Sequence, residues 1–123
     1  MMRFTEIINT SSPLSSPIKA GICDSFVDKL RGLMFRPSLM PGEGLIFIEK
    51  MDSKINSSIH MFFMNFDIGV VWLNHNLVVA DFVLAKKWHP AYFPAQPAMY
   101  TLEIHPSRLA EFHPGDRVTL NNV

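Results

Sequence analysis

Apolar and polar positions along the chain alternate over short stretches and follow a helical period only once. Residues 2–9 alternate loosely and read as a first strand. Residues 10–17 hold five Ser/Thr and two Pro and form a turn or loop. Residues 18–23 read as a second strand. Asp24 or Ser25 then supplies a helix N-cap, and Ser25 with Asp28 has capping-box spacing. Phe26, Val27, Leu30, Leu33 and Met34 recur at helical spacing, which predicts one short α-helix over about 25–34. Pro37 cannot continue it.

The second half predicts strands almost throughout. Residues 41–44 are a turn, 45–49 a short strand and 52–58 a polar loop. From Ile59 to Leu73 the chain is apolar apart from a few positions, notably Asn65, Asp67 and Gly69. A strand wet on one face would alternate, so this stretch predicts two segments buried on both faces or wrapped into a barrel. Residues 67–69 read as a bulge or corner, because Gly inside a strand marks such places. Residues 74–76 form a tight turn, with Asn supplying positive φ, and 77–84 return as the partner strand. Three prolines make 88–97 an ordered loop. Residues 99–104 form a strand with Leu102 and Ile104 on one face and Glu103 on the other. A helical turn is expected near 107–112, then a turn at 113–116 and a last strand over 117–120. The sum is a mainly β single domain spanning 1–123, a compact β-sandwich or distorted barrel with one short helix. Within it, 1–17 is a strand plus a Ser/Pro loop and 18–120 is the core.

Composition narrows the function classes. With 48% hydrophobic residues in 123, the chain has apolar material for a core without a metal or disulfide staple. Lys+Arg and Asp+Glu each number 11. That balance argues against a dedicated nucleic-acid binder, which needs excess cations, and leaves homo-oligomerisation open. Cys23 is the single cysteine, so no intrachain disulfide forms and no cysteine-based zinc site can be built. Residues 1–20 lack the continuous apolar core of a signal peptide, and no stretch is long enough to cross a membrane. The reading is cytoplasmic.

Two blocks carry a resemblance. One is Arg31-Gly32-Leu33-Met34-Phe35-Arg36 followed by Gly42-Glu43-Gly44-Leu45-Ile46-Phe47. The other is Ser58-Ile59-His60-Met61-Phe62-Phe63-Met64, running into Val70-Val71-Trp72-Leu73. A weaker third block is Leu102-Glu103-Ile104 with Gly115-Asp116. Over about 18–120 the chain resembles the uncharacterised family known as domain of unknown function number 192. The resemblance implies a compact β-sandwich or barrel-like domain with a short helix, in a family found both in the cytoplasm and exported. It implies no activity, substrate or cofactor. The family pattern continues after the apolar block with Pro, a hydrophobe and Asp, where this chain has Asp67, Ile68 and Gly69. The acidic residue has moved by two positions, to the same face of a strand but several ångströms away.

Candidate chemistry is sparse. Asp67 is a carboxylate in an apolar stretch, either a functional group or a residue at an exposed corner. With His60 or His89 it could form an acid–base pair for hydrolysis. His60, Met61 and Met64 offer imidazole and thioether ligands for a soft ion, although Met also fills core gaps. Arg31 and Glu103 are expected to pair and lock helix to sheet. The alternative use of Arg31 is an anion site with Arg36. Trp88, His89, Tyr92 and Phe93, on a loop stiffened by Pro90, Pro94 and Pro97, could line a ligand pocket or partner surface, or plug the barrel mouth. Cys23 reads as a small buried hydrophobe rather than a nucleophile. No GxSxG elbow, phosphate-binding glycine loop or HExxH motif is present. The favoured reading is a non-catalytic binding module for a small polar ligand or a partner protein, with no cofactor. The alternatives are a hydrolytic enzyme on Asp67 and a histidine, or a soft-metal carrier on His60, Met61 and Met64.

Overall fold

In the computed structural model, residues 3–25, 28–29, 32–34 and 36–122 are described. Seven strands form one sheet: β1 (Phe4–Asn9), β2 (Ile18–Cys23), β3 (Glu43–Ser53), β4 (Ile68–Leu73), β5 (Val79–Ala85), β6 (Ala98–Ile104) and β7 (Val118–Asn122). Their order across the sheet is β5-β4-β6-β3-β2-β1-β7. The chain is mainly β with very little helix, and the sheet curls into a half-barrel. Its two edges meet at one end, where Val78 bridges Arg117 and the Val79 amide donates to the Asp116 carbonyl at 2.9 Å.

Neighbouring strands run antiparallel except β2 and β3, which are parallel. Parallel neighbours need a crossover rather than a hairpin, so residues 24–42 must pass over one face of the sheet. The predicted helix falls within that crossover. Ser25 caps it: its Oγ accepts from the Asp28 amide at 3.2 Å and its carbonyl from the Lys29 amide at 3.0 Å. Of the predicted helical stripe, Phe26, Val27 and Leu30 lie outside the described residues, as does Arg31.

The curled sheet has two faces and each carries a core. Ile7, Ile18, Ala20, Ile46, Val71, Leu73, Leu102, Ile104 and Val118 fill the concave side. Phe112 closes it from just beyond a 3₁₀ helix at Pro106–Glu111, the helical turn expected near 107–112. Cys23, Leu45, Ile68, Val70 and Trp72 face the other side, under Leu33, Leu39, Met61 and Met64 from the crossover and loops. Strand β4 is buried at all six positions because it serves both cores.

Several expectations are corrected. Residues 59–66 are not a strand; they form a loop joined to the proline-rich loop by an isolated Ile59–Tyr92 bridge. Met61 and Met64 are buried while His60, Phe62 and Phe63 are exposed, so the shared strand face expected for His60 and Met64 does not exist. An apolar run tells that residues are wanted inside, not that they are extended. Gly69 marks no bulge. It lies in regular pairing with Ile104 and Leu84, and a Cβ there would sit 3.1 Å from Leu109 Cβ, so Gly is where the 3₁₀ helix touches the sheet. In the turn after β4 the left-handed residue is Leu77, at φ 58°, rather than an asparagine. Asn74 instead accepts the Asn76 and Val78 amides on its side-chain oxygen.

Candidate functional site

On the face opposite the half-barrel's interior, the crossover and the 53–64 loop stand apart and leave a cavity of about 350 Å³. Register builds its floor. Leu45 is opposite Glu103 and Phe47 opposite Thr101, so Phe47, Thr101 and Glu103 project together from β3 and β6, with Glu49 further along β3. Lys29, Gly32, Leu33 and Met34 form one wall; Asn56, Ser58, Ile59, His60, Met61 and Met64 form the other. Gly32 is left-handed at φ 48°, and a Cβ there would come within 3.3 Å of the Phe47 ring.

The loop wall is pinned to the sheet. The Ser57 carbonyl accepts from Trp72 Nε1 at 2.7 Å and from Thr101 Oγ1 at 3.2 Å. The Met61 amide donates to the His89 carbonyl at 2.9 Å, and the Trp88 amide donates to the Met61 carbonyl at 2.8 Å. Thus the proline-rich loop buttresses the cavity from outside.

Glu103 is the unusual group. It is 7% exposed, and burial alone pushes its carboxyl up to about 8, so at neutral pH it is mostly the uncharged acid. Among the described residues no side chain forms an ion pair or hydrogen bond with its carboxyl. Lys29 is instead bound to Glu49, Nζ to Oε2 at 2.8 Å, which leaves those two charges mutually neutralised at the cavity's side. Cys23, behind the floor, is fully buried; burial first, then Asp28, Glu103 and Asp24, push its thiol up to about 12. It is therefore a thiol rather than a thiolate nucleophile.

Only some sequence candidates converge here. His60, Met61 and Met64 line the cavity together with Glu103. His60 stands exposed at its mouth, with Nδ1 accepting from the Phe62 amide at 3.3 Å. Asp67 does not line it. Its carboxylate accepts the Lys87 amide at 2.8 Å and lies 3.4 Å from Lys86 Nζ, and the amide bond first, then Lys86, hold it below the usual range for Asp. His89 is exposed and stacks on Tyr92 at 4.2 Å between ring centres, while Tyr92 Oη accepts the Lys86 amide. Trp88 and Phe93 are exposed outside the cavity; the Trp88 ring meets Phe63 edge-on at 5.3 Å. Arg36 pairs with Glu43 at 3.5 Å. Arg31, the expected partner of Glu103, lies outside the described residues. Among the described residues, no group of three or more His, Cys, Asp or Glu is placed to hold a metal ion. None of the described helices is long and apolar enough to cross a membrane.

Sequence reasoning missed Lys29, Glu49, Asn56, Ser58 and Thr101. Each is an ordinary polar residue on an ordinary stretch, and only the crossover brings them together. Glu103 had a signal, a carboxyl flanked by Leu102 and Ile104 in a strand.

Comparison with known proteins sets this geometry in a family. The UPF0127 protein TK1120 of Thermococcus kodakarensis is 36% identical over 115 residues, covering 92% of this chain and 71% of that protein. A UPF0127 protein of Thermococcus gammatolerans is 39% identical over 82 residues, 67% of this chain and 52% of that one, so the match spans about half of its length. The UPF0127 protein PH1112 of Pyrococcus horikoshii is 39% identical over 97 residues, 79% of this chain and 81% of that one. Two crystal structures share the fold. A putative transcription regulator from Sinorhizobium meliloti superposes with TM-score 0.82 at 15% identity, over 98% of this chain and 94% of that one. A protein of unknown function from Novosphingobium aromaticivorans gives 0.77 at 21% identity, over 96% and 84%. Residues 7–120 match the model of the family DUF192, described as Uncharacterized ACR, and the chain belongs to that family.

Proposed function

We propose that this domain is a non-catalytic binding module for a small molecule with polar groups, held in the cavity between the crossover and the 53–64 loop. The observation that carries this reading is Glu103, a buried carboxyl without a partner among the described residues, at the floor of a mostly apolar cavity. Its volume of about 350 Å³ is at the small end of ligand sites. Apolar walls with a few convergent polar groups are the usual make-up of such sites. A hydrolytic reading on Asp67 with His60 or His89 has less support, because the Asp67 carboxylate is engaged by Lys86 and Lys87 outside the cavity. The soft-metal reading rests on His60, Met61 and Met64 lining one cavity, where both thioethers are already packed in the core. The residence we favour is cytoplasmic, in keeping with a single buried cysteine.

The test is a thermal-shift screen of small metabolites against the native chain and Met34→Trp, which fills the cavity from its wall. A ligand at a hundred times its dissociation constant adds about 2.7 kcal/mol. Stabilisation of the native chain that Met34→Trp removes supports the reading. Ligands that stabilise both proteins equally contradict it.

A further inference from the structure

We infer that the cavity takes a cationic ligand, an ammonium head on a short apolar body, with the head paired to the Glu103 carboxylate and the body against Leu33, Met34, Phe47 and Met61. The inference rests on the binding reading above and assigns the ligand's chemistry. The geometry supports it in three ways. Glu103 is more than nine-tenths buried, lines the cavity, and has no hydrogen-bond or ionic partner among the described residues. A carboxyl in that position gains most from a charged donor, since paired and hydrogen-bonded charge is what offsets burial. Among the described residues, the cation that lines the cavity, Lys29, is already taken by Glu49. The remaining walls are largely apolar and flexible, with Met34, Met61 and Met64 able to adapt to a hydrocarbon body.

Among the described residues the charges around Glu103 are few. Lys29 and Asp28 come from the crossover, Glu49 from β3, His60 from the loop and the Cys23 thiol from β2. β4 contributes the apolar Val70 and Trp72 beside it. Arg31 is on the crossover, outside the described residues. Binding is then an exchange. The neutral Glu103 acid gives its proton to solvent, the ammonium ion keeps its own, and an ion pair replaces the buried acid. One proton leaves for each cation that enters.

The experiment is titration calorimetry with hexylamine, hexanol and hexanoate on the native chain, Glu103→Gln, His75→Gln and Met34→Trp. Buffers of different ionisation enthalpy count the protons. Hexylamine is expected to bind native protein in preference to the other two and to release close to one proton at pH 7. Its affinity should rise by about tenfold per pH unit below about pH 8 and level off above it. Glu103→Gln should remove both the preference and the pH dependence, while His75→Gln, in the exposed turn after β4 and outside the cavity, keeps both. Equal binding of hexanol, tighter binding of hexanoate, or unchanged hexylamine binding to Glu103→Gln overturns the cationic assignment and leaves the cavity reading standing. Binding that Met34→Trp does not weaken, or no binding of any probe, overturns both.

Discussion

Glu103 sits one position from two residues that fill the half-barrel, and strand alternation alone sends it to the opposite face. There it is buried by the crossover and its loop rather than by its own strand. A carboxyl whose pKa is raised on folding binds its proton more tightly in the folded chain. Its stabilising effect is complete below the ordinary value near 4.5, falls as pH rises, and is gone above about 8. Native protein should therefore lose on the order of a few kcal/mol between about pH 5 and pH 8 relative to Glu103→Gln. Urea unfolding of both proteins across that range measures the difference. Parallel curves for the two would contradict the burial of an unpaired acid. Arg108 is the opposite kind of buried charge. It is 4% exposed, pairs with Glu111, and donates to the Pro41 and Ser16 carbonyls. It ties the 3₁₀ helix to both loops that flank β2. Arg108→Met removes the ionic partner of Glu111, which keeps its Ser15 bonds, and leaves two carbonyls without their donor; it should cost about 1–3 kcal/mol, read from the same urea midpoints. Nothing in the sequence distinguishes Arg108 from a surface arginine, since its partners are up to 92 positions away.

At the scale of elements, legibility follows how local the cause is. Residues 18–23 were readable as a strand and 107–112 as a helical turn, found at Pro106–Glu111, because their patterns and prolines act on their own backbone. Ser25 was readable as a cap for the same reason. The 59–66 loop was not. Ile59, Met61, Met64 and Phe66 answer to the outer core, which exists only once the crossover is in place, while Phe62 and Phe63 stay exposed. The cavity was hidden by the same fact, because its walls come from the crossover and the loop and its floor from β3 and β6. Close strand contact also constrains elements in ways a sequence does not announce. At Gly44 a Cβ would meet the Glu103 carbonyl oxygen at 2.8 Å, a backbone atom that cannot turn aside. Gly44→Ala should push β3 and β6 apart, cost about 1–3 kcal/mol, and weaken protection of the β3–β6 amides in hydrogen exchange. Full protection in Gly44→Ala would show that the strands are looser there than described.

For the whole molecule, the notable feature is a sheet that closes at one end only. The seam is short: Val79 and Gly115 exchange backbone bonds with their neighbours across it, and the Val118 amide donates to Leu77. Asn9 braces it from β1. Its side chain accepts the Ser11 and Ser12 amides and donates to the Glu111 carbonyl and to Asp116. Asn9 is 2% exposed, so Asn9→Leu leaves several polar groups unsatisfied at once. It should destabilise the chain and speed exchange at the Val79, Gly115 and Val118 amides more than at β4–β6, as site-resolved hydrogen exchange would show. Uniform acceleration would mean the seam does not open separately. Closing the interior fills it with side chains, so a ligand site has to lie outside the barrel, under the connection that parallel pairing of β2 and β3 requires.

Cation binding depends on an uncharged Glu103 carboxyl under that connection, with no partner among the described residues, and carbon-13 NMR of its side chain reads its protonation directly. A titration midpoint near 8 in the ligand-free protein is the predicted result. A midpoint in the ordinary range for glutamate would mean that a cation or solvent already satisfies the group, and would contradict the account.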